Sequence, residues 1–229
     1  MSKIQKPKYK QHFYKKPTKK SGLVINLKGF LCSCNNREKE CVRESYNLLN
    51  KYADMLYPTQ PVESTSKEDF DIEVELKKEL SELRSNKDKR FQLVESGAKN
   101  FLFIKTTLDD PVSLAEKIVS DIEETKSQQT RFLIRLVPIE ITCRAHVKDI
   151  ENAFKPLALK YFKESPRTFS IVYNHRNNNS LKKEDVIKVV ADAVFEIRAD
   201  HKVNLKEAEV SIIIEVIKGI ALLGVFSDF

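Results

Sequence analysis

Strand-like and helix-like segments follow one another in this chain in an order that few folds accept. Residues 22–34, GLVINLKGFLCSC, read as a first strand. Residues 38–57, EKECVRESYNLLNKYADMLY, set Val42, Leu49, Tyr52 and Leu56 at helical spacing with Tyr46 and Ala53 alongside, and PTQP ends the helix. FQLVESG and FLFIKTT are two strands joined through Gly97 and Asn100. Asp109-Asp110-Pro111 opens the helix PVSLAEKIVSDIEETK, with Pro111 suited to the first helical position and acids near the positive end of the dipole. RFLIRLVP, residues 131–138, is the next strand. Strand, helix, strand, strand, helix, strand is the ferredoxin-like βαββαβ order.

A second unit follows. It has a helix over 147–162, a strand over 168–174, and a helix over 181–198 with Val186, Val190, Val194 and Ile197 on one face. Two strands, VSIIIEVIK and IALLGVF, come last. The expected fold class is α/β in the α+β sense: a ferredoxin-like unit over 22–143, then an α/β unit over 144–229. Near residues 60–90 the first unit carries an acidic insertion. Residues 63–82 hold eight acids and three lysines and read as a solvated surface loop, with helical character near VELKKELSELR.

Charge separates the first 21 residues from the rest. Residues 1–20 contain eight lysines and no acid, and removing them leaves 32 basic against 33 acidic residues. The net +7 of the chain therefore belongs to one arm, which has too little apolar surface to fold alone. Lys15, Lys16, Lys19 and Lys20 are candidates for sequence-independent phosphate contact, and nuclear import is the competing reading of the same lysines. The N-terminus has no apolar signal core, and the most apolar segment, SIIIEVIKGIALLGVF, is broken by Glu215 and Lys218. The expectation is no membrane span and a nuclear protein, in nucleolus or nucleoplasm, with the cytosol as second place.

Motifs for chemistry are missing. GIALLG has the glycine spacing of a phosphate loop but runs into Val225-Phe226, not Lys-Ser/Thr. Cys32, Cys34 and Cys41 lack a nearby His and a second knuckle pair, so no metal site is expected and buried thiols are the better reading. Cys143 has Arg144 and His146 close in sequence, yet a strand-exit thiol is the commoner case. No cofactor and no catalytic residue are assigned.

What the sequence does offer is a polar strand end. TFSIVYNHRNNNS, residues 168–180, leaves an alternating strand for His175-Arg176-Asn177-Asn178. Arg176 has the fork that fits a phosphate. Asn177 and Asn178 suit sugar or base edges, Ser180 suits a helix cap, and Lys182 and Lys183 add charge. A plain polar turn is the alternative. In RFLIRLVP, strand alternation sets Arg131, Leu133 and Arg135 on one face, with the two arginines about 13 Å apart. They either meet phosphates or pair with acids on a neighbouring strand.

RFQLVESGAKNFLFIKT, RFLIRLVPIEITCRA, TFSIVYNHRNNNS and VNLKEAEVSIIIEVIKGIALLGV, in this order, resemble the THUMP-domain adaptors of tRNA cytidine acetylation. The acidic insertion before RFQLVESGA is similar too. The resemblance covers most of residues 22–229 and leaves out the basic arm. It implies a ferredoxin-like unit followed by a THUMP unit, with a THUMP domain beginning at 144 or as early as 115–130. It implies binding to the acceptor end of tRNA, and the candidate RNA contacts read from charge and strand position are Arg131, Arg135, His175, Arg176, Asn177, Asn178, Lys182, Lys183 and Lys218. Most THUMP proteins continue into a modifying domain. Here the chain stops at Phe229, which fits the branch that brings tRNA to a separate RNA cytidine acetyltransferase, the carrier of acetyl-CoA and ATP. The implied function is a non-catalytic adaptor that presents serine and leucine tRNAs for N-acetylcytidine formation in the D arm. The alternatives are a general RNA-binding or ribosome-assembly factor and a THUMP-containing RNA-modifying enzyme.

Overall fold

The computed structural model describes residues 22–57 and 89–227. The basic arm and the acidic insertion lie outside them. The first unit contains β1 (Gly29–Ser33), α1 (Glu38–Leu56), β2 (Phe91–Glu95), β3 (Phe101–Thr106), α2 (Pro111–Thr125) and β4 (Arg135–Ile139). Its sheet runs β2-β3-β1-β4, with every neighbouring pair antiparallel. That is the ferredoxin-like arrangement expected from the element order. Both helices lie on one face, where Phe30, Cys32, Leu49, Tyr52, Ile104, Leu114 and Ile118 form a buried core.

Local chemistry explains the boundaries. β1 begins at Gly29 rather than at residue 22, because Asn26 sits at φ +59° and bends the chain. The buried face of α1 is Cys41, Ser45, Leu48, Leu49, Tyr52 and Ala53, while Leu56 is exposed. Ser45 hides the true face in the sequence: its hydroxyl donates to the Cys41 carbonyl at 2.8 Å, so it is buried without an unmade bond. Asp110 caps α2, accepting from Val112 N–H and Ser113 N–H at 3.0 and 3.3 Å, with Pro111 at the first helical position.

The second unit contains β5 (Ile141–Arg144), α3 (Val147–Phe162), β6 (Thr168–Arg176), α4 (Lys183–Ile197), β7 (Lys202–Val203), β8 (Val210–Ile217) and β9 (Ile220–Ser227). Its sheet runs β5-β9-β8-β6-β7, with β6 parallel to β7 and β8 and the remaining pairs antiparallel. Strands β5 and β7 have no counterpart in the sequence reading. Four and two residues long, they are too short for periodicity to register.

Alternation along β8 and β9 joins the two units. Ile212, Ile214 and Val216 face the core under α3 and α4. Ile217, Leu222 and Phe226 instead enter a core with Leu31, Phe103, Val137 and Ile139 of the first sheet. At this seam a Cβ on Gly224 would fall 2.3 Å from the Pro138 carbonyl oxygen, so the close approach of β9 and β4 requires glycine there.

Candidate nucleic-acid interface

The expected strand parity of 131–138 does not hold. The strand starts only at Arg135, and Leu133 is buried while Arg131 and Arg135 are exposed. The cause is Glu44 of α1. Its carboxylate accepts three successive backbone N–H groups, from Arg131, Phe132 and Leu133, at 3.0, 2.7 and 2.9 Å. This coil-like nest keeps residues 131–133 off the sheet. Burial pushes the Glu44 carboxyl up, but those N–H bonds and the Arg131 charge outweigh it and hold the group below its ordinary value. Arg131 stacks its guanidinium over Phe132, on the helix side of the first unit.

Arg135 points the other way, into the seam. Its guanidinium donates to Glu215 Oε1 at 3.3 Å, and Asn174 Nδ2 donates to the same oxygen at 3.0 Å. The Glu215 side chain is 1% exposed and that of Arg135 43%. Arg131 and Arg135 are thus separated, and the acid pairing left open in the sequence is realised for Arg135. Glu215 and Asn174 did not enter the candidate set, although one acid inside SIIIEVIKG was a visible signal.

Beyond Asn174 the strand end comes together. Arg176 lays its guanidinium 4.3 Å over the ring of Phe101 in the first unit. Lys218, at φ +54° in the β8–β9 turn, extends over Gly97, where a Cβ would lie 2.8 Å from its ammonium nitrogen. Lys218 N–H donates to the Arg176 carbonyl at 2.9 Å. Two exposed cations of the second unit therefore rest against the β2–β3 hairpin of the first.

Asn178 organises the loop that follows. Its Nδ2 donates to the Lys218 carbonyl at 2.6 Å, and its Oδ1 accepts from Ser180 N–H and Leu181 N–H at 3.0 and 3.2 Å. The side chain expected to read sugar or base edges is therefore engaged at both ends. Ser180 does not cap α4: the cap position is Lys182, without a side-chain cap bond, because Asn178 has drawn Ser180 into its own turn. His175 is exposed and directs Nδ1 to the Asn178 carbonyl at 2.7 Å, so that nitrogen carries the hydrogen. Asn177 is exposed at φ +53°, and Lys182 and Lys183 are exposed at the start of α4. The structure thus links His175, Arg176, Asn178 and Lys218 by hydrogen bonds into one strand-end cluster, with Asn177 in the same loop and Lys182 and Lys183 following it in the chain. Lys15, Lys16, Lys19 and Lys20 lie outside the described residues.

The cluster offers cations, amides and the His175 imidazole. Cys143 is buried, and burial followed by the nearby Asp149 charge pushes its thiol up to about 12. Among the described residues no group of His, Cys, Asp and Glu could hold a metal ion, and no helix is long and apolar enough to cross a membrane.

Known proteins resemble this chain in sequence. The THUMP domain family matches residues 144–225. THUMP domain-containing protein 1 homolog of Drosophila melanogaster is 37% identical, over 96% of this chain and 75% of its own length. The chain belongs to the THUMP domain-containing protein 1 family. The human member is 36% identical over 90% of this chain, which spans only 62% of the human protein. A more distant relative of this THUMP protein is "tRNA acetyltransferase TAN1" of Saccharomyces cerevisiae, 22% identical over 83% of this chain and 75% of that protein.

Proposed function

We propose that this THUMP protein is a non-catalytic adaptor. It binds serine and leucine tRNAs and presents them to a separate RNA cytidine acetyltransferase, which makes N-acetylcytidine in the D arm. The observation that carries the reading is the strand-end cluster: Arg176 and Lys218, exposed and seated against the first unit, form a basic seam built by both units together. Cations on a rigid frame suit the phosphates and 2′-hydroxyls through which structured RNA is read. The name of the yeast relative points to acetylation of tRNA. The gain from such an adaptor is effective concentration, since bound tRNA meets the acetyltransferase as part of one complex. The basic arm adds sequence-independent phosphate contact or nuclear import, and its charge supports a nuclear location, with the cytosol as second place.

Paired variants test this. Arg176→Ala with Lys218→Ala removes two cations without removing a buried partner. Each charged contact should cost about 1–3 kcal/mol of tRNA binding, so the double variant should bind well over tenfold more weakly, by filter binding or gel shift. Its acetylcytidine yield with supplied acetyltransferase should fall in parallel. Unchanged tRNA affinity in the folded double variant would remove the seam from the interface.

A further inference from the structure

Among the described residues, three of the four sheet edges meet other parts of the chain. On β2, Leu93 N–H donates to the Tyr46 hydroxyl at 2.7 Å, and Leu23 N–H reaches the Glu95 carbonyl at 3.0 Å. On β5, Asn26 N–H donates to the Thr142 carbonyl at 2.7 Å. On β4, the Pro138 carbonyl abuts Gly224 of β9. The outer edge of the second sheet differs. β7 covers β6 only at Thr168 and Phe169. Asn204 ends it: its Oδ1 accepts Lys206 N–H and Glu207 N–H at 3.0 and 3.1 Å, which turns the chain away from the sheet. β6 runs on to Arg176 alone.

The direction of its backbone groups follows from the neighbours. Arg167 and Phe169 give their carbonyls to Lys202 and Asn204 on the β7 side, whereas Arg176 gives its carbonyl to Lys218 on the β8 side. The alternation turns the N–H and C=O of Ile171, Tyr173 and His175 away from β8. Among the described residues none bonds these backbone groups. The stretch 168–176 has no Lys, no Pro and no bulge, the devices that protect natural edges.

We infer that this edge accepts an extended, acid-bearing peptide strand of a second protein, which, resting on the adaptor reading, is the acetyltransferase. Open main-chain groups supply the bonds of strand addition. Val172, 40% exposed, and half-buried Ile171 receive alternate apolar side chains. His175 and Arg176 close the strand and Lys182 and Lys183 follow, ahead of Glu184 and Asp185, while at the far end Glu209 is bonded to Thr168, so the edge favours acids in its occupant where it nears the seam. A nucleic-acid strand would want stacking aromatics. Tyr173 is buried toward α3 and α4, which leaves only the His175 imidazole. The added strand would end at the basic seam, bringing the partner to the RNA.

Amide exchange of the full chain, alone, with acetyltransferase and with tRNA, tests this. Acetyltransferase should slow exchange at Ile171, Tyr173 and His175 by about tenfold or more, and tRNA alone should leave Ile171 and Tyr173, which lie outside the strand-end cluster, unchanged. Ile171→Pro removes an outward N–H and spares the β8 ladder; Val172→Lys adds the charge that guards natural edges. Each should weaken acetyltransferase binding about tenfold or more without lowering tRNA affinity. Should Ile171→Pro not fold, Val172→Lys, at an exposed position, still decides. Acetyltransferase binding with the three amides unchanged overturns the inference and leaves the adaptor reading standing. No acetyltransferase binding at all overturns that reading. Slowing of Ile171 and Tyr173 by tRNA alone, or with protein concentration, gives the edge to RNA or to a second copy and overturns the inference.

Discussion

Arg135 illustrates how a residue's role depends on what faces it across the seam. Its partner Glu215 is buried, with Oε1 shared by Arg135 and Asn174 and Oε2 without a bond among the described residues. Arg135→Ala would leave a buried carboxylate with only an amide, so the cost falls on stability. We expect a clearly lowered thermal midpoint for Arg135→Ala and a nearly unchanged one for Lys218→Ala. Equal midpoints would mean that Arg135 is not the counter-ion of Glu215. Glu44 sets a second expectation. Its folded-state carboxyl is held below its ordinary value, so its contribution is complete above the unfolded carboxylate range and is lost as pH falls through the lower folded value. Glu44→Ala strips three N–H groups of their acceptor and should cost about 1–3 kcal/mol at neutral pH, with a flatter acid limb in a denaturation series. For Cys143, burial predicts that Cys143→Ala keeps full acetylation with supplied acetyltransferase. Abolished activity in the folded variant would reopen a catalytic role.

At the scale of elements, the four helices of the described residues and the longer strands were legible, because each buries one face and shows it as period 3.6 or 2. Asp110-Pro111 fixed the start of α2, and Gly97 with Asn100 fixed the β2–β3 turn, since caps and positive φ leave chemical marks. Residues 131–134 were misread because their apolar alternation mimics a strand, while the carboxylate that removes them from the sheet comes from Glu44, 87 residues earlier. The strand-end cluster was visible in composition, but the internal duty of Asn178 was not: it depends on the turn at Lys218, 40 residues later. Packing between elements gives its own prediction. Gly224→Ala would press a methyl onto the Pro138 carbonyl and should destabilise by about 1–3 kcal/mol, as overpacking does. Gly219→Ala, with nothing within 4 Å of its Cβ position, should stay close to wild type in the same chemical denaturation.

Two units that share a core present a single basic seam, and the whole molecule is proposed to act by holding tRNA there for another enzyme. The arm belongs to this scale. If residues 1–20 lie along phosphates, their removal should weaken binding to all RNAs alike and make the slope of log affinity against log salt shallower by roughly 2–4, for a few engaged lysines. An unchanged slope would leave import as the arm's task. The central claim is that tRNA held at the seam is what the acetyltransferase needs. Nucleoside analysis of serine and leucine tRNAs, from cells lacking this protein and restored with wild type or with Arg176→Ala/Lys218→Ala, measures it directly. N-acetylcytidine should disappear from these tRNAs on deletion, return with wild type and stay low with the folded double variant, while ribosomal RNA processing is normal. Acetylcytidine at wild-type level in the deletion, or full restoration by the double variant, would contradict that claim.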